Sequence, residues 1–133
     1  MVLEEQGAIE RAGIRFQVAI FEEALARRPD DCESLRYLAH AYAVLGRYAD
    51  GLDADRRLAT ILPRDARVRY NLACSLALTG RVDEAFASLD EAVRLGFSDL
   101  VLARKDQDLD TLRSDPRWPA FEQSLARRGG RKT

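Results

Sequence analysis

Arg36 and His40 lie one turn apart wherever the surrounding apolar spacing is helical, so both face the same side of one helix. Thirty-four residues further on, Tyr70 and Cys74 repeat that spacing, with Arg67 and Asn71 beside them. The chemistry on offer is that of holding. Arginine meets a carboxylate with charge-assisted hydrogen bonds, and asparagine donates through its amide. Turnover chemistry is missing. His40 is the one histidine of the 133 residues, which excludes a His-rich metal centre or a histidine relay. No glycine-rich loop follows a strand to cradle phosphate. Glu22-Glu23, Asp30-Asp31 and Asp106-Gln-Asp-Leu-Asp110 carry paired carboxylates. The last lacks the central glycine and terminal glutamate of a calcium loop and reads as solvated. Cys32 and Cys74 have no metal-ligand spacing, and Cys74, in an apolar run, reads as a small buried filler. The expectation is no catalytic residue, no metal and no cofactor.

Composition narrows the partner class. The formal net charge is −1 and the pI about 5.9, so nothing global favours nucleic acid or an anionic membrane. No run approaches the ~18 apolar residues of a membrane span. The acidic start Met1-Val-Leu-Glu-Glu-Gln lacks the basic-then-apolar order of a signal peptide. With two isolated thiols, this reads as a cytoplasmic chain.

The elements that position these residues are helices. Val18, Phe21 and Leu25 form one apolar stripe; Leu35, Leu38, Tyr42 and Leu45 form the next; Leu72 and Leu76, then Phe86, Leu89 and Val93, continue it. Pro29, Gly46, Pro63, Gly80 and Gly96 punctuate the runs. The spacing predicts helices over about 2–12, 14–28, 32–45, 48–61, 66–79, 82–95, 99–105 and 117–127, with no sheet. Gly7 and Gly13 are expected to interrupt the first.

The chain also repeats itself. Tyr37-Leu-Ala-His-Ala-Tyr-Ala-Val-Leu-Gly-Arg returns as Asn71-Leu-Ala-Cys-Ser-Leu-Ala-Leu-Thr-Gly-Arg, aligning Leu38 with Leu72, Gly46 with Gly80 and Arg47 with Arg81. A period of about 34 marks an array of helix–turn–helix units. Leu35, Leu38, Ala39, Tyr42, Gly46, Tyr48, Gly51 and Pro63, then Leu72, Ala73, Leu76, Gly80, Ala85, Leu89 and Ala92, resemble the tetratricopeptide repeat motif. Asp55, Leu58, Arg69 and Phe97 depart from it. The segment from Asp108 to Trp118 is similar to endings of bacterial repeat proteins of this type. Leu109, Leu112, Trp118, Phe121 and Leu125 would cover the last repeat's apolar face.

The resemblance implies an all-α fold, an α-solenoid of antiparallel helix pairs with about three repeats and a C-terminal cap. It implies one domain over 1–128: a partial repeat at 2–31, repeats at 32–65 and 66–98, a cap at 99–128, and a disordered basic tail at 129–133. It further implies a non-enzymatic scaffold or adaptor binding a peptide in a concave groove. On the first full pair that groove would show Glu33, Arg36, Tyr37, His40, Ala43 and Val44. On the second it would show Arg67, Tyr70, Asn71, Cys74, Ala77 and Leu78. Members that hold a peptide's C-terminal carboxylate use positions matched here by Arg36, His40, Asn71, Val101 and Lys105, of which Val101 cannot serve. A groove of other specificity is the alternative. A different class of function is self-assembly through the N-terminal edge, where Val2, Leu3, Ile9, Ile14 and Phe16 could meet a second copy. The partner expected is thus a protein or peptide, or a homo-oligomer, with no nucleic acid and no membrane.

Overall fold

The computed structural model describes residues 2–130. Its helices are α1 (Val2–Arg27), α2 (Cys32–Val44), α3 (Tyr48–Ile61), α4 (Ala66–Leu78), α5 (Val82–Leu95), α6 (Leu100–Lys105), α7 (Asp110–Arg113) and α8 (Trp118–Gly130), with a 3-10 turn at Gln107–Leu109 before α7. No strand occurs among the described residues. The chain divides into two compact units, Met1–Ile61 and Leu62–Thr133.

In the first unit, α2 and α3 pair across a turn set by Gly46. Its φ of 74° lies in the left-handed region, which only glycine enters at low cost. Arg47 N–H donates to Tyr42 O and Gly46 N–H to Ala43 O, closing the end of α2 in a Schellman motif. Helix α1 departs from expectation: it is one continuous helix. A helix-interior glycine costs about 1 kcal/mol, too little to break a run of good helix formers such as Glu4, Ala8, Glu10, Arg11 and Ala12. Val18 of α1 joins Leu38, Ala41 and Tyr42 of α2 in the core, with Ile14, Phe21, Leu25 and Leu45 packed around them. Tyr42 Oη donates to Glu22 Oε2 at 2.6 Å, and the Arg47 guanidinium lies 4.6 Å over the Tyr42 ring.

The second unit repeats the design 34 residues later. Gly80 has φ 76°, Arg81 N–H donates to Leu76 O, and Gly80 N–H to Ala77 O. Asp65 caps α4 by accepting from Val68 N–H at 3.1 Å. Ser88 of α5 donates to Arg69 O at 2.8 Å, fastening the pair. The segment beyond α5 has no counterpart in the first unit. Leu109, Leu112, Trp118, Phe121 and Leu125 are all buried, as expected of a cap. Arg117 ties the start of α8 to Asp83 at 2.9 Å and to both oxygens of Asp115. Instead of lying in the expected tail, Gly129 and Gly130 complete α8; positions 131–133 lie outside the described residues.

Candidate functional site

Helix α2 buries Leu35, Leu38, Ala41 and Tyr42 and turns Glu33, Arg36 and His40 outward on consecutive turns, with Val44 continuing the row. Two expected members of the row sit differently. Ala43 is half-buried, and so is Tyr37, because its ring stacks on Phe21 with centroids 4.3 Å apart and its hydroxyl donates to Gln17 Oε1. Tyr37 therefore belongs largely to the contact of α2 with α1.

Helix α4 presents a different surface. Arg67 and Asn71 are exposed, but Tyr70 is 1% exposed and Cys74 6%, and Ala77 is buried too. Tyr70 and Cys74, expected in an open groove, are closed off by the chain's own cap. The reason is physical: the segment after α5 folds back on the outer side of α4 and covers its apolar surface as a following repeat would. Asp106 is the centre of that closure. Its Oδ2 accepts from Tyr70 Oη at 2.7 Å and from the Cys74 thiol at 3.7 Å, and its Oδ1 accepts from Asp108 N–H at 3.1 Å. The Tyr70 ring stacks on Phe97 at 4.3 Å and 12°. Burial pushes the Tyr70 hydroxyl well above its usual range, with Cys74 and Asp106 adding to it. Burial likewise raises the Cys74 thiol, helped by the charges of Asp106 and Asp108. Both groups stay protonated, as hydrogen-bond donors to one carboxylate must be. Ligand atoms of Cys74, Asp106 and Asp108 lie within 4.8 Å of one another, yet the Asp106 carboxylate is already engaged by three donors.

Asp106 corrects a second expectation, since the acidic run 106–110 reads as solvated in the sequence. Its signal there is its place one residue before a helical turn, the position of an N-cap. Arg113, which no motif marks, donates to Ala103 O at 2.8 Å and Asp106 O at 2.6 Å and lies 5.5 Å over the Trp118 ring. Lys105 is exposed at the end of α6, and so is Val101.

The third surface is on α1. Val2, Ile9, Phe16 and Ile20 are between 51% and 75% exposed along one stripe, opposite the side that packs on α2. Ile14, expected in this patch, packs inward instead. Ile20, outside that expectation, joins it; the side chain of Leu3 is not among those described. No described helix is long and apolar enough to cross a membrane.

No family model matches the chain. Over 114 residues it is 30% identical to a chloroplastic protein of Arabidopsis thaliana, across 78% of this chain and 32% of that protein. The chain thus spans about a third of the length of that curated relative. Among solved structures it resembles MamA MSR-1 C2, with a TM-score of 0.69 and 19% identity over 94% of this chain and 72% of that one. That likeness, with eight helices among the described residues, gives the fold class: all-α, an α-solenoid of antiparallel helix pairs of the tetratricopeptide-like kind.

Proposed function

We propose that the chain is a cytoplasmic, non-enzymatic protein-interaction scaffold of the tetratricopeptide type, and that it binds a peptide segment through the outward row of α2. The observation that carries this reading is the row itself: Glu33, Arg36, His40 and Val44 face solvent from a helix whose reverse side is packed. Arg36 suits an acidic side chain or a terminal carboxylate, and Val44 an apolar neighbour. In the second unit, Arg67, Asn71 and Lys105 supply a polar set of their own, while Tyr70 and Cys74 act in the cap. The two unbridged thiols fit a reducing compartment. The near-zero net charge argues against nucleic acid or membrane as the partner.

Selection from a displayed-peptide library, followed by fluorescence anisotropy on purified chain, tests the reading. Arg36→Glu should weaken the selected peptides by at least about tenfold at unchanged helicity, since a like charge would face the acid. Equal binding by both proteins would move the site off α2. Comparing free and amidated peptide C-termini then tells a terminal carboxylate from an internal acid.

A second reading, self-association through α1, is favoured by the exposed stripe on that helix. Strictly monomeric behaviour in light scattering at every concentration would dismiss it.

A further inference from the structure

The cap shows what the first helix of a repeat accepts on its outer side. Its 3-10 turn, Gln107–Leu109, lies against α4 with Leu109 fully buried, and the turn is headed by Asp106. The two oxygens of Asp106 do different work. Oδ2 accepts from Tyr70 and Cys74 on α4, whereas Oδ1 accepts from Asp108 N–H and so starts the turn. Tyr70, Cys74 and Ala77 are all buried. Thirty-four residues earlier the same places hold Arg36, His40 and Ala43, of which the first two are exposed and the third half-buried. Each set offers two hydrogen-bond donors one turn apart, followed by a small apolar residue. The two helices also end alike, in the same left-handed glycine turn.

We infer that the outward row of α2 takes a partner's aspartate at the head of a helical turn, with an apolar residue three positions later, in the order Asp-x-x-Leu. The inference rests on the α2 reading above and names the segment that reading leaves open. Charge favours it. The donors on α2 are Arg36 and His40, and a guanidinium holds a carboxylate more strongly than the hydroxyl and thiol that hold Asp106. An arginine has five N–H donors, so Arg36 can take the aspartate beside the interaction it already makes. His40 donates through a ring N–H. The apolar residue of the turn comes down on Ala43 and Val44, the apolar end of the row. A terminal carboxylate has no following N–H to accept from and no apolar residue to add, so the segment is internal to its chain. Glutamate carries the same charge, but aspartate is the better head of a turn.

Selection from random peptides displayed between fixed flanks, with the full chain as bait, is the test. Peptides carrying Asp-x-x-Leu, or another large apolar residue in the last place, should be enriched. In fluorescence anisotropy, replacing the aspartate of a selected peptide by asparagine should weaken binding at least about tenfold. Replacing its leucine by alanine should weaken binding about tenfold as well. Arg36→Glu and His40→Ala in the chain should each lower affinity for these peptides at unchanged helicity. Glutamate serving as well as aspartate overturns the turn and leaves a bare charge contact. Selected peptides that are lost with Arg36→Glu but lack the motif overturn the inference while the α2 reading stands. Peptides indifferent to Arg36→Glu, whatever their sequence, overturn both.

Discussion

Helices α2 and α4 hold the same place in the repeat, sharing Leu38 with Leu72, Ala39 with Ala73 and Ala43 with Ala77, yet differ in what they leave exposed. Arg36 and His40 face solvent on α2; Tyr70 and Cys74, 34 residues on, are sealed beneath Asp106. The turn that ends each helix is the same, down to the left-handed glycine. The repeat code therefore specifies the helix and its packed side, while the fate of the other side is decided by what the chain does next. After α5 it returns to cover α4, whereas Arg36 and His40 of α2 are exposed.

The largest break in that contrast should come from the cap's core. Phe121→Ala is expected to cost about 3–5 kcal/mol of unfolding free energy in a denaturant titration, because it leaves a cavity among packed side chains. Val44→Ala on the open row should stay within about 0.5 kcal/mol. Next is the closure itself. Asp106→Ala strands the Tyr70 hydroxyl without its acceptor and should cost about 1–3 kcal/mol. The same variant should speed alkylation of Cys74 and leave the half-exposed Cys32 unchanged. Equal labelling of Cys74 before and after would show that Asp106 does not hold the cap.

Alkali should act on both helices, since burial and the hydrogen bond to Glu22 raise Tyr42 of α2 as well, but α4 adds a thiol that responds from a lower pH. In the folded chain Cys74 and Tyr70 keep their protons; unfolded, they lose them near the ordinary 9.0 and 10.0. The folded form then binds more protons, so stability is complete below about pH 9 and falls as pH rises, by up to ~1.4 kcal/mol per pH unit per group. Cys74→Ala should delay the onset of that fall by about one pH unit, read from melting temperature against pH. The smallest effect lies in acid. Hydrogen bonds from Arg117 lower Asp115 to about 2, so its contribution is complete above the usual 3.8 and is lost as pH falls towards 2. Asp115→Asn should flatten that part of the profile slightly, the Arg117 partner being itself partly exposed.

Much of this fold is legible in the sequence. Helices α2 to α5 follow from apolar spacing and from glycines at one offset, and Trp118 and Phe121 read correctly as cap core. The first helix is misread when glycine is given the weight of a breaker inside a run whose other residues favour helix. The sealed face of α4 is out of reach for another reason. Tyr70 meets Asp106 across 36 positions and Cys74 meets it across 32, and neither helical period nor local propensity encodes such a pairing. Tyr37 fails similarly, since its neighbour Gln17 lies 20 positions away. Arg67, Asn71, Arg36 and His40 stand exposed as expected, because their exposure depends on their own helix.

The Asp106 closure has a consequence for engineering. One carboxylate recognises two side chains a turn apart, so the seat it occupies is a short address written on a helix: tyrosine, then cysteine four positions later. At those places α2 carries Arg36 and His40. Tyrosine and cysteine placed at positions 36 and 40 would give α2 two of the donors that Asp106 accepts from on α4, though not the Phe97 stack or the buried leucines that complete the closure.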